Sequence, residues 1–180
     1  MNKLVIIING KGSCGKDTLC NLASKHFKVR NISYVDPIKR IATLYGGWNG
    51  SKDTISRKFL SDLDDIFENY GNPQIDYVNK EYQKFKTSDN QIMFVHCRKP
   101  HAIHKLLGFM QQDDGCKCVT LLITNPLTDG KIYGNTADDV VDNFKYDYTF
   151  ENDVNSCFLS ETEKMFYVFI KNIIRNIYGE

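Results

Sequence analysis

Apolar positions along the chain follow two rhythms that alternate. Leu4 to Ile8 is an unbroken aliphatic run, the pattern of a strand covered on both faces in a parallel sheet. Leu19, Leu22, Ala23 and Phe27 then recur at helical spacing and predict a helix over about 16–27. Val29 to Val35 reads as a second strand, with Ile32, Tyr34 and Val35 as its β-preferring side chains. Asp36-Pro37 opens a second helix, Asp36 suiting the N-cap and Pro37 the first helical position. Ile38, Ile41, Ala42 and Tyr45 continue it on one face, and Gly46-Gly47 ends it.

A polar loop, 46–52, carries the sole tryptophan, Trp48. Two amphipathic helices follow. The first spans about 53–69 with Ile55, Phe59, Leu63 and Phe67 as its stripe, and the second about 74–86 with Ile75, Val78, Tyr82 and Phe85. Lying between strand candidates, they make 46–88 a helical insertion beside the sheet. Ile92 to Cys97 is a third strand, and Arg98-Lys99-Pro100 opens a helix to about Phe109. Val119 to Thr124 is a fourth strand, followed by the turn cluster Asn125 to Gly130 and irregular 131–136. A short helix is expected over 137–144 and a weaker strand over 146–150. A final helix over 161–178 turns Met165, Phe166, Phe169, Ile173 and Ile177 inward. Strands alternating with helices indicate a three-layer α/β fold around a parallel sheet, kept as one domain over 1–180.

Composition narrows the class without choosing a function. Lys and Arg number 23 against 22 Asp and Glu, so no overall charge draws the chain to nucleic acid or membrane. No apolar run approaches the roughly 18 residues of a membrane span, and the first segment reads as a core strand, so a cytoplasmic location is expected. The six cysteines are scattered, Cys116-Lys117-Cys118 is too tight for a metal knuckle, and reduced thiols are expected. His101 and His104 share a helix face without a third ligand nearby, which argues against zinc.

The chemistry sits directly after the first strand. Asn9-Gly10-Lys11-Gly12-Ser13-Cys14-Gly15-Lys16 fits GxxxxGK, with Asp17-Thr18 following in place of an immediate Ser or Thr. The glycines allow positive φ, so backbone N–H groups can close into a concave nest at a helix N-terminus, with Lys16 reaching the outer phosphates. Gly10, Gly12, Ser13, Cys14, Gly15, Lys16, Asp17 and Thr18 are therefore the candidate phosphate-binding residues. The plain alternative is a tight strand-to-helix turn that binds nothing.

With GKGSCGKDT the chain resembles P-loop small-molecule kinases, and GKDT is similar to the GKGT of adenylate kinases. Together with VDPIKRIA, RKFLSDL, FVHCRKP and YDYTFEND, in that order, it resembles phage-type deoxynucleoside monophosphate kinases and their bacterial relatives over about residues 4–155. The resemblance implies a P-loop NTPase fold with a five-stranded parallel sheet of order 2-3-1-4-5. It also implies ATP as donor, Mg²⁺, and γ-phosphoryl transfer onto a small-molecule monophosphate.

Under that resemblance Lys16, Arg57 and Arg98 are the candidate catalytic cations. Planar arginines suit an acceptor phosphate, and Asp36, Lys39, Arg40 and Arg57 form the candidate acceptor side. Arg40, Arg57 and Arg98 each have a solvated surface role as the alternative. Asp36 either binds a sugar hydroxyl or orients the acceptor, or it only caps its helix. Asp17 either suits the helix dipole or acts on Mg²⁺ or the acceptor. No Asp ends the third strand, where many P-loop enzymes hold the metal, so Mg²⁺ is expected through water, with Asp17 as the other option. Thr18 is expected to contact a donor phosphate. Asn152 and Asp153 are candidates for the adenine side, with loop structure as the alternative. The lid-like segment, 125–136, lacks the arginine these kinases place there, leaving Lys131 as the nearest cation. The other readings are a dephospho-coenzyme A kinase-like enzyme and a nucleotide-binding regulator without transfer.

Overall fold

The computed structural model describes residues 2–113, 115–128, 140–153 and 159–179. Its strands are β1 (Leu4–Asn9), β2 (Val29–Ser33), β3 (Ile92–His96), β4 (Lys117–Thr124) and β5 (Tyr148–Glu151). They form one sheet of order β2-β3-β1-β4-β5 with every pairing parallel; the residue pattern implies the parallel sheet and the family resemblance its order. The helices are α1 (Lys16–Ala23), α2 (Asp36–Tyr45), α3 (Thr54–Tyr70), α4 (Pro73–Thr87), α5 (Pro100–Met110) and α6 (Leu159–Tyr178).

The unbroken aliphatic run of β1 has a direct cause: successive side chains feed opposite faces. Leu4, Ile6 and Ile8 pack with Leu19 and Ala23 of α1 and with Phe166, Ile170 and Ile173 of α6. Val5 and Ile7 pack with Val78, Tyr82 and Phe85 of α4 and with Ile103 and Leu106 of α5. Two cores on one central strand define the three layers. The register aligns Ile8 with His96 on one side and Leu121 on the other, so the carboxyl ends of β1, β3 and β4 share one edge. That edge is where open α/β sheets collect ligands.

Several boundaries differ from the sequence pattern. α1 stops at Ala23, where Lys25 and His26 donate to carbonyls three residues back and tighten the chain toward β2. Phe27 still packs on the core from outside the helix. Asp36 is the first helical residue of α2 rather than its N-cap, and its carboxylate accepts the Ser33 N–H at 2.7 Å. Of the short helix expected over 137–144, the described part is a 3-10 turn, Val141–Asn143; residues 137–139 lie outside the described residues.

Two helical faces also depart from expectation. Met165 is 55% exposed, and the inward side of α6 runs instead through Phe166, Ile170 and Ile173. In α3 the expected stripe is not buried: Ile55 is 83% exposed, and the buried residue is Asp64. α3 packs chiefly on α2 and α4. What its inner face needs is a partner for a cation, described below.

Among the described residues no helix is long and apolar enough to cross a membrane. Cys14, Cys20, Cys97, Cys116 and Cys118 are free thiols. His101 meets Glu68, whereas His104 packs on the Phe144 ring, so the pair does not form a metal site.

Candidate functional site

The loop after β1 is held in shape from below. Asn9, fully buried, accepts the Gly10 N–H on Oδ1 at 2.7 Å. Its Nδ2 donates to the Arg98 carbonyl at 3.0 Å and to the Tyr146 hydroxyl at 2.6 Å. Tyr146 in turn donates to the Val141 carbonyl. One amide therefore joins the loop to the segment carrying Arg98 and to the turn before β5. Its signal in the sequence was a polar residue closing a wholly apolar strand.

Gly10 has φ +149°, and a Cβ there would lie 2.4 Å from the Ile123 carbonyl oxygen, so only glycine fits. Gly15, at φ +94°, is the N-cap of α1. The other positive φ of the loop belongs to Ser13, at +64°, not to Gly12. The nest is thus made by Gly10, Ser13 and Gly15.

Lys16 opens α1 and folds back into the loop. Its Nζ donates to the carbonyls of Gly10 at 2.5 Å and Lys11 at 2.9 Å, and contacts Cys14 Sγ at 3.4 Å. In this state the ammonium rests on loop carbonyls that face the place an oligophosphate would take. The Cys14 side chain is buried in the core, and its carbonyl accepts from Asn152 Nδ2 at 2.9 Å. Asn152, expected on the adenine side, thus lies beneath the loop, buried, with its amide engaged there; Asp153 beside it is exposed.

A cavity of about 720 Å³ runs from this loop to the insertion. One wall is Gly12, Ser13, Gly15, Lys16, Asp17 and Thr18. The same cavity is lined by Asp36, Lys39, Trp48, Lys52, Arg57 and Arg98. Arg57 donates from Nε to the Lys52 carbonyl at 2.7 Å, which braces it at the start of α3. Trp48, half-buried, is pinned by its indole N–H to the Ser51 carbonyl at 2.9 Å. Asp36 accepts from Lys39 Nζ at 3.2 Å and from the Tyr77 hydroxyl at 3.4 Å. Arg40 is exposed and does not line the cavity. Lys131 lies outside the described residues, as does most of 125–136; within the described part Asn125 caps a turn through Leu127 and Thr128.

Two lysines that follow these arginines in the sequence, Lys58 and Lys99, are held by acids of α3. Lys58 pairs with Asp62 on the surface. Lys99 is buried and bonded to three carboxylates of α3, those of Asp64 at 2.6 Å, Asp65 at 2.6 Å and Glu68 at 2.9 Å. Glu68 also accepts from Tyr34 and His101, and Asp64 from Gln74. Burial opposes the charge on Glu68, yet the bonds and field of Lys99, with Tyr34 and His101, hold its carboxyl below the usual range. Burial likewise opposes the Lys99 ammonium, and the three carboxylates outweigh it, raising its pKa. This latch fixes α3, and with it Arg57, over the end of β3.

His96, at the end of β3, was given no role by the sequence pattern and lines the same cavity beside Lys16 and Asp17. Its Nε2 lies 2.9 Å from Asn31 Oδ1 and 3.6 Å from Cys20 Sγ, and its Nδ1 lies 3.7 Å from Asp17 Oδ1. Burial pushes its pKa down to about 4, against the raising effect of Asp17, so the ring is neutral near neutral pH. For a divalent cation, the donors at the mouth of the loop are the Asp17 carboxylate, the Thr18 hydroxyl and this imidazole, all bordering the same space. That set fits a metal completed by phosphate oxygens and water.

No model of a known protein family matches the sequence, and no curated protein matches it. Solved structures do. TT1252 from Thermus thermophilus aligns over 96% of this chain and 98% of its own, with 16% identity and a TM-score of 0.50. A gluconokinase from Sinorhizobium meliloti covers 99% and 96%, at 13% identity and TM-score 0.50. The tunicamycin resistance protein of Deinococcus radiodurans covers 94% and 96%, at 12% identity and TM-score 0.50. At such identities the likeness is one of fold: a five-stranded parallel sheet of order β2-β3-β1-β4-β5 covered by helices.

Proposed function

We propose that this chain is an ATP-dependent kinase of a small phosphorylated acceptor, most simply a (deoxy)nucleoside monophosphate. The observation that carries the reading is one continuous cavity lined both by the glycine-rich loop with Lys16 and by Lys39, Arg57 and Arg98. The loop and Lys16 suit the donor phosphates, and Arg57, Arg98 and Lys39 suit an acceptor phosphate. Phosphoryl transfer needs chiefly this alignment and charge neutralisation. An acceptor phosphate oxygen attacks the γ-phosphorus while the bond to the β–γ bridging oxygen breaks, giving a diphosphate and ADP. Lys16 would exchange the Gly10 and Lys11 carbonyls for phosphate oxygens. Mg²⁺, where bound, neutralises donor phosphate charge, and Asp17, Thr18 and His96 are the residues that border it. Trp48 and Asp36 on the acceptor side suit a planar base and its polar edge. The likeness to a gluconokinase supports small-molecule phosphorylation but not this acceptor.

An ADP-release assay with ATP and Mg²⁺ across the common ribo- and deoxyribonucleoside monophosphates tests the proposal. One acceptor turned over well above the rest is the expected result. ATP binding with turnover of none, including dephospho-coenzyme A, would favour a nucleotide-sensing regulator. The structure also separates two arginines that the sequence grouped. Arg57→Ala is expected to raise the acceptor KM by about tenfold or more, since a charge-assisted contact is lost. Arg40→Ala should leave it unchanged, and equal effects of the two would refute the acceptor wall described here.

A further inference from the structure

We infer that His96 is a nitrogen ligand of the divalent cation at this site, together with the carboxylate of Asp17, and that it biases the site toward Mn²⁺-like ions over Mg²⁺. The inference rests on the donor-site reading above and goes beyond it by naming a ligand and a preference. Three observations carry it. First, β3 pairs with β1 so that His96 lies beside Ile8, one residue before the loop begins its turn, and its ring lines the cavity next to Lys16 and Asp17. Second, the far nitrogen of the ring has two neighbours, Asn31 Oδ1 at 2.9 Å and the Cys20 thiol at 3.6 Å, and the much shorter contact, to an acceptor, places the ring proton on Nε2. Nδ1 therefore presents a lone pair to the cavity. Third, that lone pair faces Asp17 Oδ1 at 3.7 Å, beyond hydrogen-bond range. An imidazole lone pair and a carboxylate bordering one gap make a donor pair that a divalent cation can bridge.

The outer partner is the kind that orients metal-bound imidazoles: Asn31, one strand away on β2, fixes both tautomer and ring plane. Asp17 stands where the loop pattern usually has a hydroxyl, so its carboxylate and the imidazole form a mixed oxygen–nitrogen pair. Mg²⁺ prefers oxygen ligands and keeps its waters, whereas an imidazole favours later divalent ions such as Mn²⁺ and Co²⁺. The absence of an acidic residue at the end of β3 is thus compensated by a different donor rather than by water alone.

Pulsed EPR of Mn²⁺ and ADP bound to protein carrying ¹⁵N-histidine tests this without reference to turnover. A ¹⁵N coupling of directly bound imidazole is expected in the wild type and its loss in His96→Ala. His96→Asp, which supplies oxygen in place of nitrogen, is expected to keep ADP binding and shift the Mn²⁺-over-Mg²⁺ preference about tenfold toward Mg²⁺ in competition titrations. A Mn²⁺–ADP complex without that coupling, a coupling that survives His96→Ala, or an unchanged preference in His96→Asp would overturn the assignment while leaving the loop reading intact. Failure of the wild type to bind ADP with either cation would overturn both.

Discussion

Lys16→Met is expected to slow phosphoryl transfer by about 10²-fold or more at saturating ATP, while the protein still folds. The methionine fills the same volume without a charge, so the nest keeps its shape and loses the ammonium that would meet the transferring phosphoryl group. Lys16 Nζ now bonds two loop carbonyls and touches Cys14 Sγ. The loop itself is held by other groups: Asn9 on the Gly10 N–H and Asn152 on the Cys14 carbonyl. Structure and rate should therefore separate. Steady-state turnover alongside a thermal melt checks this, and a variant with near-normal turnover would remove Lys16 from the chemistry.

Lys99→Met is expected to be the most destabilising single change among the described cations, by about 3–5 kcal/mol near neutral pH. Breaking a buried ion pair costs more than the pair contributes, because the surviving charges lose their partner. Here the Asp64 and Glu68 side chains are 7% and 9% exposed, and both depend on the same ammonium. Asp65, half in solvent, adds little.

The pH dependence has a definite sign. Glu68 is held below its ordinary pKa, so its contribution is present above the usual carboxylate range and disappears as acid titrates through the lowered value. Lys99 is held above its ordinary pKa, so its contribution persists through neutrality and is lost only as alkali titrates through the raised value. In Lys99→Met the stranded carboxyls take up protons more readily, and the stability deficit should narrow as pH falls from neutrality toward the carboxylate range. Chemical denaturation of both proteins at several pH values measures it. A deficit that is small, or that grows on acidification, would show that the latch does not hold α3.

Local order dictated much of this molecule. A strand with no alternation, a glycine-rich turn and a lysine opening a helix are properties of adjacent residues, and short-range geometry left them little choice. So the β1–loop–α1 unit, the alternation of strands and helices and the parallel sheet were legible from residue pattern, and the 2-3-1-4-5 order from family resemblance. The caps of α3 and α4, Asp53 and Asn72, are equally local.

Partner choice across the sheet edge was another matter. Arg40, Arg57 and Arg98 are chemically alike in sequence, and only the orientation of α2, α3 and the end of β3 sends two of them into the cavity. Lys99 acquires its role only where α3 brings three acids to it. Asn9, Asn152 and His96 took their roles from residues far along the chain, at Tyr146, Cys14 and Asn31. The physical reason is one of range: helix and strand periodicity act over a few residues. Pairing a buried polar group depends on which segments meet, and that is decided only when the whole sheet and its covering helices have packed.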